Sequence, residues 1–206
     1  MAYTKKLNEL IEAYRGVLSR NAIEKLQEEN KRLKKEKTTD ELTGLPNKLV
    51  VYELLKEEIL RVKRNENALS VSYFDIDRFK SINDTYGHEI GDKVIIYFAN
   101  EVKKSLRKVD IVARLHGDEF LVVFPDTEKN SAYKVMEKVM NIKPYKIPIS
   151  NKTIKVNASY GVTEFNGLDY KNMPIEYIIK NLIREADKKM YEHKNHYKNF
   201  FNAITN

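Results

Sequence analysis

The stretch Arg114-Leu115-His116-Gly117-Asp118-Glu119-Phe120 sets two adjacent carboxylates beside a residue that has no side chain. Short runs of β-formers flank it, Asp110-Ile111-Val112-Ala113 before and Leu121-Val122-Val123-Phe124 after, so it reads as the tip of a β-hairpin. Exposed carboxylates at a turn that lets a backbone approach closely suit a metal–nucleotide site. A solvated acidic turn gives the same residues, so they do not decide by themselves. A second acidic cluster does. Asp75-Ile76-Asp77 closes the apolar run Ala68 to Phe74, and alternation along a strand starts both carboxylates on one side of its end. A hard cation such as Mg²⁺ takes few protein oxygens and leaves positions open to phosphate. Asp75 from a strand end and Asp118 from a hairpin tip supply that pair. The backbone N–H groups of Arg78 and Phe79, at a helix start, are placed to receive phosphate, and Lys80 adds a positive charge.

These groups need a scaffold. Residues 1 to 38 read as helix, with no Pro and the single glycine Gly16. Leu7, Ile11, Tyr14 and Leu18 keep one apolar register; Ile23, Leu26, Asn30, Leu33 and Lys37 keep another, with the break near Ser19-Arg20-Asn21. Asn30 on the seam is the polar residue that sets alignment in a dimeric coiled coil, against the alternative of a helix packed on its own domain. So short a seam pairs weakly by itself. Gly44 and Pro46 then make a turn, and Asn47 caps a helix from Lys48 to about Arg64. After the strand, Arg78 to Asn83 begins a short helix, Asp84 to Asp92 reads as a loop with two glycines, and Asp92 to Leu106 as an amphipathic helix. Beyond the hairpin come a helix from Thr127 to Met140, a small hairpin turning at Ser150-Asn151, a strand over Ala158 to Thr163, a helix from Ile175 to Tyr191, and a closing strand over Asn199 to Ile204. This order gives an α+β fold, a mainly antiparallel sheet with helices packed on it.

A chain of 206 residues fits one domain, 39–206, plus a helical appendage, 1–38. A 42% hydrophobic share supplies a core, and 33% charged residues point to a soluble protein. No apolar run approaches the roughly 18 residues of a membrane span, and no signal-peptide pattern opens the chain, so no membrane association is expected. The absence of cysteine removes disulfides, thiolate chemistry and cysteine–zinc sites, and points to the cytoplasm. The net charge of +7 is a weak case for nucleic acid, because Lys and Glu are interspersed; surplus lysine equally suits nucleotide phosphates.

Four separated motifs resemble the GGDEF domain of diguanylate cyclases over about residues 39 to 204. They are Asp40-Glu41-Leu42-Thr43-Gly44-Leu45-Pro46-Asn47; Phe74 to His88 with Gly91-Asp92; His116-Gly117-Asp118-Glu119-Phe120; and Ala186-Asp187 with Met190-Tyr191. The N-terminal helix is similar to the signalling helices that precede such domains. The resemblance implies a ferredoxin-like, nucleotide-cyclase palm fold with added elements. It also implies an enzyme, a homodimer of facing active sites joined through the N-terminal helix, that condenses two GTP into cyclic di-GMP and two pyrophosphates. Two Mg²⁺ ions per site, with Mn²⁺ as substitute, are implied on Asp75, the Ile76 carbonyl and Asp118. Asp118, Lys80 and Glu119 fall on catalytic positions, and Asn83, His88, Asp92, Arg78, Phe79, Lys194 and Lys198 on substrate-binding ones. A carboxylate at Asp92 accepts from the guanine N1–H and 2-amino group, which adenine lacks. Arg107-Lys108-Val109-Asp110 matches the RxxD site at which the family's product inhibits. An upstream sensor or partner is expected to supply the signal.

Two positions depart from the pattern. Lys198 stands where the family has arginine, keeping the charge without the bidentate fork. His116 stands where the family has its first glycine, a place expected to need positive φ and to lie against the nucleotide. These two departures carry the competing reading, a catalytically silent receptor for cyclic di-GMP or GTP.

Overall fold

A computed structural model of the chain describes residues 14–16, 20, 22–25, 38–65, 67–148, 152–165, 170 and 173–204. The chain divides into two units, Met1–Thr38 and Thr39–Asn206. In the first, residues 14–16, 20, 22–25 and 38 are helical; of the two apolar registers only Tyr14 and Ile23, both exposed within this chain, are among the described residues, and Asn30 lies outside them. The second opens with a turn in which the Gly44 N–H donates to the Asp40 carbonyl, with Gly44 at φ +67. Its elements are α1 (Lys48–Asn65), β1 (Leu69–Ile76), α2 (Phe79–Tyr86), α3 (His88–Ser105), β2 (Ile111–His116), β3 (Glu119–Pro125), α4 (Lys129–Val139), β4 (Tyr145–Lys146), β5 (Thr153–Ile154), β6 (Ala158–Phe165) and α5 (Ile175–Ile204). Asn47 caps α1 as expected, its Oδ1 accepting from the Val50 N–H at 3.2 Å.

β2, β3, β1 and β6 lie side by side in that order, every neighbour antiparallel, and β4–β5 form a separate ribbon. β1 is therefore central. All eight of its residues are buried, as a strand covered on both faces must be. One face carries Phe74, Ile76, Phe120, Val122 and Phe124 and packs on α2, α3 and α4. The other carries Val71, Tyr73, Leu121 and Val123 and packs on α1 and α5. This is the α+β arrangement of a nucleotide-cyclase palm.

Two differences from the expected elements bear on the site. The expected loop from Asp84 to Asp92 is helical on both sides of one break, Gly87, whose φ of +83 turns α2 into α3. Gly91 lies inside α3 because Asn83 packs against it: a Cβ there meets Asn83 Oδ1 at 1.9 Å. The expected closing strand Asn199 to Ile204 is instead the end of α5. Its aromatic, β-prone composition yields to a helix already nucleated upstream, which each added residue extends at little cost. The small hairpin keeps only two residues in each strand, and its turn at Ser150-Asn151 lies outside the described residues.

Candidate active site

The two acid-bearing segments meet because aromatic residues lock their register. Phe74 stacks on Phe120, ring centroids 5.4 Å apart and planes at 15°, and both pack against Phe98 of α3. Each is fully buried, which contributes about 2–3 kcal/mol per ring. Phe74 pairs with Phe120 across the strands, so Asp75 stands opposite Glu119. Two carboxylates in directly opposed positions repel, and different partners hold each one.

Asp75, only 8% exposed, accepts a 2.5 Å hydrogen bond from Lys194 Nζ of α5. Gly161 of β6 makes this reach feasible: a Cβ there would lie 2.1 Å from the Ala186 carbonyl and 2.3 Å from the Met190 nitrogen. The missing side chain lets α5 settle on the sheet and brings Lys194, one turn on, to the strand end. Asp118 reaches the same end by its backbone, whose carbonyl accepts from the Ile76 N–H at 3.2 Å. Asp77 accepts from Ser159 Oγ at 2.7 Å, and its N–H donates to the Asn157 carbonyl at 2.9 Å.

Burial pushes the Asp75 carboxyl above the ordinary carboxylate range; Lys194 opposes this, and the charge of Asp118 adds to it. Burial also raises Asp118, with Lys194 opposing and Glu119 adding. Burial lowers Lys194, but its bond to Asp75 and the surrounding carboxylates outweigh that and raise it. One ammonium thus serves a pair of repelling, partly dehydrated carboxylates. Such a deficit of positive charge, in hard oxygen donors, fits a divalent cation. Among the described residues no cluster of three or more Asp, Glu, His or Cys could hold a metal. Asp75 and Asp118 are the side chains that would hold such an ion, with backbone carbonyl, water or substrate oxygens completing its shell.

Asp118 opens into a cavity of about 720 Å³, whose wall includes Ile76, Arg78, Phe79, Lys80 and Lys194. Arg78 adopts a left-handed conformation (φ 57, ψ 30) ahead of α2, and no side chain caps that helix start. The backbone turns sharply there and leaves helix amides without a side-chain acceptor. Asn83 and Asp92 do not line this cavity; they lie on α2 and α3 at the Gly91 contact, and exposed His88 begins α3. Asn83 Oδ1 is buried with no hydrogen-bond donor among the described residues. Lys198 falls on α5, but its side chain lies outside the described part of the structure.

The hairpin tip departs from expectation. Its positive φ, +53, falls on Gly117, while His116 closes β2 just past a register slip without positive φ, so the left-handed turn asks nothing of the histidine. His116, 64% exposed, places Nε2 2.9 Å from Glu119 Oε2. The buried Tyr73 hydroxyl donates to the same oxygen, and burial, then that bond, hold the phenol well above its ordinary value. The imidazole lines a second cavity, about 530 Å³, on the α1–α5 face with Tyr52, Tyr73, Leu115, Ile179 and Asp187. It does not line the cavity beside Asp118. Glu119, expected to be catalytic, is engaged by Tyr73 and His116.

Arg107 and Asp110 are brought together, but onto each other. The Arg107 N–H donates to Asp110 Oδ2 at 2.9 Å, and Nη2 donates to Oδ1 at 2.6 Å and to Thr127 Oγ1 at 2.8 Å. The Asp110 side chain is 0% exposed.

Two residues without an assigned role hold the tip in place. Arg114 donates through Nε to the Gly117 carbonyl at 2.8 Å and through Nη1 to both Asp40 oxygens. Asp40 also accepts from the Thr43 N–H and hydroxyl at 2.8 and 2.7 Å. The only sequence signal for this link was a lone arginine in an otherwise apolar strand.

The family model described as "Diguanylate cyclase, GGDEF domain" matches residues 37–200. Diguanylate cyclase DgcP of Pseudomonas aeruginosa is 38% identical over 130 residues, 63% of this chain and 19% of that protein. Diguanylate cyclase A of Treponema denticola is 34% identical over 174 residues, 82% of this chain and 45% of that protein. This chain therefore spans less than half the length of either relative. A crystal structure of P. aeruginosa diguanylate cyclase SiaD, in complex with its activator SiaC, aligns with a TM-score of 0.70 at 30% identity, covering 94% of this chain and 71% of that one.

Proposed function

Because the chain belongs to the diguanylate cyclase GGDEF-domain family, we propose that it is a metal-dependent diguanylate cyclase, condensing two GTP into cyclic di-GMP and two pyrophosphates. The observation that carries this reading is the meeting of Asp75, Asp118 and Lys194 at the end of β1, beside a cavity that begins at an uncapped helix start.

In this reading Asp75, the Ile76 carbonyl and Asp118 hold two Mg²⁺ ions. When bound, these ions neutralise charge on the transferring phosphate and acidify the attacking hydroxyl. The chain's own part is positioning. The amides of Arg78 and Phe79 donate to phosphate oxygens, and Lys80 and Lys194 add positive charge. Lys194 is bonded to Asp75, and with a cation held at Asp75 its ammonium would be able to turn toward phosphate. Asp118 takes the proton as the 3′-hydroxyl of one GTP attacks the α-phosphate of the other. Asn83 and Asp92 read guanine; the orphaned Asn83 Oδ1 is a costly acceptor that a guanine donor satisfies. His88, exposed at the start of α3, is assigned to the same substrate-binding group.

Since each domain holds one GTP, catalysis requires two copies face to face, with the N-terminal helix joining them and an upstream sensor or partner biasing their approach. Specific activity then rises with protein concentration until the dimer saturates. Product inhibition is assigned to Arg107 and Asp110. Cyclic di-GMP has to take over bonds that Arg107 now spends on Asp110 and Thr127, which predicts a weaker site than a preformed one. The side that His116 faces favours the enzyme over the silent receptor.

The test is incubation with GTP and Mg²⁺, or Mn²⁺, followed by nucleotide chromatography, alongside Asp118→Asn. Cyclic di-GMP and pyrophosphate from wild type only is the expected result. No turnover with intact cyclic di-GMP binding overturns the enzyme reading in favour of the receptor.

A further inference from the structure

Four cationic side chains line the cavity beside Asp118: Arg78, Lys80, Lys155 and Lys194. Lys194 donates to Asp75, and Arg78 has a partner of its own. Lys80 and Lys155 have no acidic partner among the described residues. Of these two, Lys155 belongs to none of the motifs that identify the site.

Its position is nevertheless well determined. Ile154 and Val156 on either side are buried, at 6% and 2% exposure, so alternation turns Lys155 outward into the cavity. Two residues on, the Asn157 carbonyl accepts from the Asp77 N–H at 2.9 Å, and Ser159 then donates to the Asp77 carboxylate at 2.7 Å. The segment carrying Lys155 is therefore stapled to the chain just beyond β1. Lys80 leaves the same place in the other direction, on the first turn of α2. The two lysines line one cavity from separate segments, with Asp118 in the same wall.

We propose that Lys155 is a specificity-determining residue for the nucleotide's polyphosphate, holding with Lys80 the terminal phosphates that leave as pyrophosphate. The proposal rests on the reading of this cavity as the GTP site. A nucleoside triphosphate carries its greatest charge density at the end remote from the base, and an ammonium binds phosphate as a point charge without a fixed fork. Lys155 supplies such a charge from outside α5. The chain thus has a phosphate cation beyond the pair on that helix, where lysine stands in place of the family's arginine.

The test is calorimetric binding of a non-hydrolysable GTP analogue and of GMP to the full chain in Mg²⁺, for wild type, Lys155→Ala and Lys155→Arg. The side chain is exposed, so the melting temperature of both variants should match wild type. Lys155→Ala should weaken the triphosphate about fivefold to tenfold and GMP less than about twofold, with a shallower salt dependence, and Lys155→Arg should restore most of the loss. Equal weakening of both nucleotides, or no weakening, overturns the role of Lys155 and leaves the cyclase reading standing. Wild type that binds neither nucleotide overturns both.

Discussion

Arg114 and Asp40, 74 residues apart, are joined by contacts of 3.0 and 3.1 Å, and the same guanidinium holds the Gly117 carbonyl at 2.8 Å. The turn ahead of α1 therefore sets the position of the acidic hairpin tip. Asp40→Ala leaves Arg114, with 11% of its side chain exposed, facing only Gly117. The expected loss is about 2–3 kcal/mol by urea unfolding, under the roughly 3–5 of a fully buried pair because both side chains retain some water. Turnover should fall as well, and Arg114→Met in the Asp40→Ala background should recover part of the stability but not the turnover. Unchanged stability in Asp40→Ala means the pair is incidental.

The same pair gives an acid signature. Burial opposes ionisation of Asp40, yet hydrogen bonds from Thr43 and Arg114 outweigh it and hold the carboxyl below its ordinary 3.8. A depressed carboxyl contributes its stability in full above the unfolded value and loses it as pH falls through the folded one. The stability difference between wild type and Asp40→Asn should be flat from pH 7 down to about 5 and shrink below 3.8. A difference that grows on acidification reverses the assigned sign.

Asp75 and Asp118 have the opposite sign. Their carboxyls are raised by burial, so ionisation costs stability above the unfolded value, and the cost is relieved as pH falls through the folded one. Asp118→Asn should therefore melt at or slightly above wild type without metal, yet lose the stabilisation that Mg²⁺ and a GTP analogue give wild type. Protons should also compete with the cation at higher pH than for ordinary carboxylates. Differential scanning fluorimetry with and without Mg²⁺ reads both effects, and a nucleotide-dependent shift retained in Asp118→Asn removes it from the metal site.

His116 faces Glu119 rather than the cavity beside Asp118. His116→Gly should change kcat/KM for GTP less than about threefold and cost under about 1 kcal/mol, the scale of one exposed side-chain contact. A tenfold gain in kcat/KM would show that the imidazole occupies nucleotide space.

Arg107→Ala should act twice. It strips the covered Asp110 carboxylate of its guanidinium, at a cost of about 1–3 kcal/mol, and it should weaken cyclic di-GMP binding measured by calorimetry. Loss of stability with unchanged affinity would make the pair a structural staple and not an inhibitory site.

Asp75, Asp118, Arg78, Phe79 and Lys80 were legible as candidates because each sits in a short motif whose local geometry, strand end, hairpin tip or helix start, already suits phosphate and metal; Lys194, in the body of the last helix, came only from the family resemblance. The antiparallel α+β class followed from periodicity, which is also a local property. What the sequence could not carry were relations between distant segments. Asp84 to Asp92 looked like a loop because two glycines break a helix in isolation; only the Asn83 contact explains why Gly91 is helical. Asn199 to Ile204 looked like a strand because composition does not register a helix arriving from upstream. The bond from Lys194 to Asp75 depends on how closely α5 approaches at Gly161, and the tie from Arg114 to Asp40 on two turns meeting across the fold. The direction of His116 was settled by the register slip between Arg114 and His116, which places it against Glu119. Local sequence determined which chemical groups are present and on what kind of element. Packing decided which charges neutralise one another, because that depends on distances of a few ångströms between residues remote in the chain.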